Sequence, residues 1–309
     1  MSSSTASSAT TAVRGLRKAA PFNILVATAG DEESSAAVRL AALLARRMGG
    51  AVEVLTVVTP FPHALPTGLM TATAGEVDVE GRKAAIERVR EQLKGVRGTG
   101  GWRVHAAVGW PVDSIAAAGR RWGASLIVMG IGEHSILARL VGSETAVGVA
   151  KRTSTPVLAV PPDFTGPLAS AFAAIDFSDS SIAAARLAAR LMPSNGSVTL
   201  IHTSIFAKPA AEAGSIVDLY STGARDRLAT IANDITRATH RRVATLIADA
   251  PVADAITSAG ERGRGGLIAL GSHERDLADR LLLGSVRARV IRHAKCPVLV
   301  VPQTSDTSE

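Results

Sequence analysis

The sequence predicts an α/β chain: two homologous doubly wound domains, each a five-stranded parallel sheet with helices on both faces. Three observations predict it. The chain repeats itself, so that TPVLAVP (155–161) is answered by CPVLVVP (296–302), with Pro156 and Pro297 141 residues apart. Runs such as AVEVLTVV (51–58) and SLIVM (125–129) are almost continuously aliphatic, which suits strands covered on both faces of a parallel sheet. These runs alternate with amphipathic stretches of helical length, the rhythm of an α/β sheet.

The repeat extends over most of the chain. SLIVMG (125–130) matches GLIALG (266–271), and GWPVDSIAAAGRRWG (109–123) matches DAPVADAITSAGERG (249–263). NILVATAGDEESSAAVRLAALLARRM begins one half and AFAAIDFSDSSIAAARLAARLM the other. The halves are 21–162 and 168–303, joined by the Pro/Gly-rich stretch Pro161 to Pro167. A repeat of this length is a domain, not a solenoid unit.

The expected strands of the first half are 23–28, 51–58, 102–108, 124–129 and 156–160; its helices are 33–48, 78–97, 111–122 and 143–152. In the second half the strands are 169–175, 196–203, 241–248, 265–270 and 297–301, and the helices 179–192, 212–240, 251–263 and 285–293. Helix starts are marked by polar residues: Asp31-Glu32-Glu33 before the first helix, and Asp179-Ser180-Ser181 before the apolar stripe Ile182, Ala185, Leu187.

The composition excludes several classes. At 47% hydrophobic and 20% charged, the chain is not intrinsically disordered. No apolar stretch reaches 18 residues, so no membrane span is expected. A single cysteine, Cys296, excludes an internal disulfide framework and a Cys-rich zinc site. The expected location is a reducing cytoplasm, and Cys296 is expected to be a buried small hydrophobe. Aromatic content of 3% leaves few platforms for stacked bases. The net charge of +7 is not gathered into a stripe or motif along the sequence, so no nucleic-acid partner is expected. Residues 1–20 are rich in Ser, Thr and Ala, then basic. They lack the apolar centre of a secretory signal and read as a disordered tail, with an organelle transit peptide as the other reading.

Ligands of open parallel sheets bind beyond the carboxyl ends of the strands, where the winding direction changes. The loops to inspect follow the first and fourth strands. In the second half the first strand runs into Ile175-Asp176-Phe177-Ser178. The fourth ends at Gly271 and enters a long loop closed by Gly284-Ser285 at a helix start. Glycine allows close backbone approach to a phosphate, and a helix amino terminus offers free N–H groups to an anion. Gly284-Ser285 also reads as a plain helix cap, and Asp176 as the cap of a turn.

The body of the chain resembles a tandem universal stress protein, two such domains on one chain, most specifically in RLLLGSVRARVIRHAKCPVLVVP (280–302). The resemblance implies a strand order 3-2-1-4-5, an adenine-nucleotide site, and last strands (156–160 and 297–301) that meet at the join. In the family's ATP-binding branch the fourth strand is followed by Gly, two residues, Gly, nine residues, then Gly and Ser or Thr. An Asp at the end of the first strand contacts the adenine. Here Asp176, Gly271, Gly284 and Ser285 match as nucleotide-binding residues, with Glu274 in place of the second glycine. The first half has Glu133 there, one loop residue fewer before Gly142-Ser143, and no Asp at the strand end, so it reads as degenerate. A carboxylate beside a triphosphate repels it by about 1–4 kcal/mol per close pair. Arg139 and Arg280 either offset that by pairing phosphate or cover the loop.

Other chemistry finds little support. The histidines show no i, i+4 pair with an intervening Glu, and His134 and His273 read as solvated loop residues. No G-x-S-x-G elbow is present. Trp102, Trp110 and Trp122 are expected to pack. The expected function is an ATP- or other adenine-nucleotide-binding stress-response protein, not an enzyme, with no metal. The alternative is a nucleotide-free interaction or scaffold protein of the same fold. A homodimer of the tandem chain is left open.

Overall fold

The computed structural model describes residues 21–59, 74–132, 142–203, 214–248, 251–262, 266–272 and 286–303. The segment 1–20 lies outside them, as do Glu133, His134, Arg139, His273, Glu274, Arg280, Gly284 and Ser285. The first half runs β1 (Ile24–Ala27), α1 (Ser35–Met48), β2 (Val52–Val58), α2 (Ala74–Lys94), β3 (Arg103–Val108), α3 (Pro111–Arg121), β4 (Leu126–Gly130), α4 (Gly142–Arg152) and β5 (Val157–Val160). The second runs β6 (Ser170–Ala174), α5 (Asp179–Leu191), β7 (Ser197–Thr203), α6 (Gly214–Thr239), β8 (Arg242–Ala248), α7 (Val252–Arg262), β9 (Gly266–Gly271), α8 (Val286–His293) and β10 (Val298–Val301).

All ten strands form one sheet, ordered β3-β2-β1-β4-β5-β10-β9-β6-β7-β8. Each half therefore has the order 3-2-1-4-5, parallel throughout. The halves join by a single antiparallel pair, β5 with β10, in which Leu158 stands opposite Leu299. These two leucines are repeat equivalents, so a pseudo-two-fold axis passes between them.

The aliphatic runs are buried because the sheet is covered on both faces. Successive side chains of a strand point to opposite faces, and the core divides accordingly. Ile24, Val26, Leu126, Val128, Leu158 and Leu299 pack under α1, α2, α5 and α6. Leu25, Ala27, Ile127, Met129, Val157 and Val298 pack under α3, α4, α7 and α8. Each of these two layers of core draws residues from both halves.

Two local differences from expectation have clear causes. α2 stops at Lys94 rather than 97, because the Thr99 hydroxyl donates to the carbonyls of Leu93 (2.8 Å) and Val96 (2.9 Å) and closes the turn. Trp102 packs against the core and Trp122 stacks on His105 at 4.7 Å, but Trp110 is 67% exposed. It is the extended N-cap residue of α3 and so lies off that helix's buried stripe of Ile115, Ala116 and Ala118.

Candidate functional site

In the second half, β6 ends at Ala174 and the chain turns through Ile175, Asp176, Phe177 and Ser178 into α5. Phe177 holds a left-handed backbone, φ 64°, which is strained for a residue with a Cβ. Asp176 Oδ1 accepts hydrogen bonds from the Ser178 N–H (2.9 Å) and hydroxyl. Ser178 Oγ in turn accepts from the Ser181 N–H (3.2 Å) and caps α5. Asp176 thus fixes the residue that caps the helix while its own side chain stays exposed.

Gly271 ends β9 against the same helix start. A Cβ there would lie 2.3 Å from the Ser181 nitrogen and 2.6 Å from the Ser180 carbonyl carbon, so only glycine fits. The glycine is needed for contact between strand and helix, a role that its place in the sequence does not reveal. The fold brings Asp176 and Gly271 to one place, at the carboxyl ends of β6 and β9 beside the amino terminus of α5. Gly284 and Ser285 lie outside the described residues, immediately before α8.

Three residues of this corner were not singled out from sequence. His202, near the end of β7, is buried, and its Nδ1 pairs with the Ile175 carbonyl at 2.7 Å. Its ring lies 4.7 Å from that of Phe177, and its buried Nε2 has no partner among the described residues. Arg227 of α6 rests 4.1 Å over the Phe177 ring. The repeat did hold a signal: Phe177 falls where the first half has Gly30.

The first half shows what the second retains. Gly30 is also left-handed (φ 79°), which sets it level with Phe177 and Ala29 level with Asp176. Asp31 is no substitute for the missing acid. Its Oδ1 accepts from the Ser34 N–H (2.9 Å) and hydroxyl (2.5 Å), which is Ser178's task. Gly130 meets Ser34 as Gly271 meets Ser181. The crevice is then filled by the chain's own groups. Gln92 of α2 donates to the Asp31 carbonyl (2.5 Å), Ser34 Oγ (3.0 Å) and Ser35 Oγ (3.1 Å), and accepts from Thr28 Oγ1 (2.8 Å). A Cβ on Gly132 would lie 2.0 Å from Glu33 Oε2, so a carboxylate already presses on the start of the loop after β4.

Cys296 is buried, its Sγ against Gly260. Burial, reinforced by Glu261, pushes its thiol up to about 12, the behaviour of a small hydrophobe and not of a nucleophile. Among the described residues no group of three His, Cys, Asp or Glu is placed to hold a metal, and no helix is long and apolar enough to cross a membrane.

The model of the universal stress protein family matches residues 22–161 and again 172–302. Among solved structures, a universal stress protein from Archaeoglobus fulgidus DSM 4304 is 21% identical, with TM-score 0.62, over 92% of this chain and 97% of that one. A functionally unknown protein from Pseudomonas aeruginosa PAO1 is 16% identical, with TM-score 0.61, over 92% and 93%. A universal stress protein solved in complex with cAMP is 26% identical over 46% of this chain and 97% of that one, with TM-score 0.35. No curated protein matches the chain.

Proposed function

This chain belongs to the universal stress protein family, and from that premise we propose that it is a regulatory stress-response protein that binds an adenine nucleotide in its second half, without catalysis of its own. One observation carries the reading. Asp176 and Gly271 meet at the carboxyl ends of adjacent strands beside a helix amino terminus, the place where open sheets of this kind take ligands. The first half has Ala29 in place of the acid and is sewn shut by Gln92. ATP is the expected ligand. Asp176 would receive the base, and Gly284 and Ser285, at the start of α8, would offer N–H and hydroxyl donors to its phosphates.

The nucleotide-free scaffold is the second reading, favoured by the bonds that already hold Asp176 Oδ1 on Ser178. Two measurements separate them. Mass spectrometry of the denatured purified protein should release ATP, ADP or AMP. Calorimetric titration with ATP should show binding that Asp176→Ala or Gly284→Asp lowers at least tenfold and Gly142→Asp leaves nearly unchanged. An empty protein that ignores added nucleotide establishes the scaffold instead.

A further inference from the structure

The two helices that flank the join on one face of the sheet carry arginines and, past Asp179, no acid. They are Arg39, Arg46 and Arg47 on α1, and Arg186 and Arg190 on α5. The pseudo-two-fold brings the ends of these helices together. Arg47 donates to the Leu191 carbonyl, and Arg190 lies 5.5 Å from the Phe22 ring centroid, each contact crossing from one half to the other. Two more arginines join from the flanks. Arg97 lines, with Arg39, Arg46 and the linker residues Phe164, Thr165 and Gly166, a surface cavity of ≈ 290 Å³. Arg241 donates to the Met192 carbonyl at 3.3 Å, at the end of α5.

None of these seven takes part in an ion pair among the described residues. Arg46, Arg47 and Arg241 donate to backbone carbonyls and Arg190 lies over a ring, contacts that leave the charge uncompensated. Basic side chains elsewhere are paired: Arg90 with Glu87 and Lys94 with Glu91 on α2, Arg237 with Asp234 on α6, and on the opposite face Arg152 with Asp113, Arg289 with Asp254 and Arg292 with Glu144. Partial burial first, and then the charge of Arg241, hold the Arg47 guanidinium below its ordinary value. The cost of gathering like charges is offset when an anion binds between them.

We infer that the α1–α5 face is a binding surface for the phosphate backbone of duplex nucleic acid. Guanidinium groups suit phosphate because their forked donors match two oxygens at once. A protein partner would need large apolar anchors at the centre of the interface, and a membrane surface would need apolar side chains to insert. The exposed large hydrophobics among the described residues are Val79, Trp110, Leu246 and Val286, and none belongs to α1 or α5. Charge alone recognises a backbone without reading its sequence. The expectation of no nucleic-acid partner rested on the order of charges along the chain; the fold assembles from positions 39 to 241 a patch that this order does not show.

The test is fluorescence anisotropy of a labelled mixed-sequence DNA duplex of about 20 base pairs with the full chain. Binding at 50 mM salt should weaken steeply toward 200 mM. With four to five phosphates neutralised, the log–log slope is about −4, or roughly 250-fold over that range. Arg39→Gln/Arg46→Gln/Arg97→Gln should lower affinity at least tenfold and flatten the slope by about 0.9 for each phosphate no longer neutralised. Arg186→Gln/Arg190→Gln should act in the same direction, and the opposite-face pair Arg120→Gln/Arg121→Gln should leave binding unchanged. Thermal unfolding of each variant reports that it is folded. No anisotropy change at 50 mM salt, folded variants that bind like the parent, or equal loss in the opposite-face pair would overturn the proposal. So would sedimentation with anionic phosphatidylserine vesicles by a chain that ignores the duplex.

Discussion

Single residues at the candidate second-half site answer to the fold and, under the proposed function, to a ligand as well. Gly271 makes this testable. A methyl there strikes the backbone of Ser181, so Gly271→Ala must move the first turn of α5. An overpacked position of this kind costs about 1–3 kcal/mol, to be read from denaturant midpoints, and nucleotide affinity should fall with it. A variant of unchanged stability would show that the helix start yields freely. Glu274→Gly should instead tighten ATP binding by removing a carboxylate from the phosphate loop, as calorimetry would report. Cys296 gives a third outcome. Its thiol is raised from 9.0 to about 12 by burial, so the folded state binds a proton that the unfolded state releases. The stability this contributes is complete below pH 9 and is lost as pH rises from there toward 12. Denaturation curves across that window should decline less steeply for Cys296→Ala than for the parent, and a thiol reagent should label Cys296 only on unfolding. Asp176 and Gly271 were legible as candidates because they sit at ordered positions in the repeat. His202 and Gln92 were not: their partners, Ile175 and the Thr28–Ser34 pair, are far off in sequence and meet them only after the strands align.

Elements were legible nearly to their ends, since an aliphatic run buried on both faces and an amphipathic helix have different periods. What sequence could not supply is how an element end is finished. α2 is ended by the hydroxyl of Thr99, beyond the helix, and Trp110 is exposed because of one extended backbone position. The seam between the halves is the element-scale feature with most at stake. β5 and β10 are short, aliphatic and fully buried, and each would be an open edge without the other, a template for aggregation. Leu158 and Leu299 stand opposite each other at its centre, both 0% exposed. Truncating either leaves a cavity in a layer of core shared by both halves. Leu299→Ala should therefore cost about 2–5 kcal/mol, measured by urea unfolding. Leu158→Ala should cost a similar amount, since the pseudo-symmetry gives the two positions matching surroundings. Unequal losses would mean that the symmetry is one of backbone only.

At the scale of the whole molecule the two halves share one sheet and its packed core, with two unequal candidate sites. Each layer of core is built from both halves, the sheet is continuous, and Arg292 of α8 pairs with Glu144 of α4 across the join. Opening one half would strip the other of its β5 or β10 neighbour and part of its core. Unfolding should accordingly be a single calorimetric transition, although a chain of this length built from two repeats would by default show two. The asymmetry of the sites turns this into a test of both conclusions. A nucleotide bound at Asp176 and Gly271 stabilises the native state by mass action, about 2.7 kcal/mol at a hundredfold excess over Kd. In one cooperative unit that stabilisation reaches the first half, whose own crevice is occupied by Gln92 and Glu33. ATP should raise the whole transition without splitting it, and Asp176→Ala should abolish the rise. If instead two transitions appear and only the later-melting or earlier-melting one responds, the halves are thermodynamically separate and the shared core is weaker than its burial implies. If a single transition rises as much in Asp176→Ala as in the parent, the nucleotide binds elsewhere.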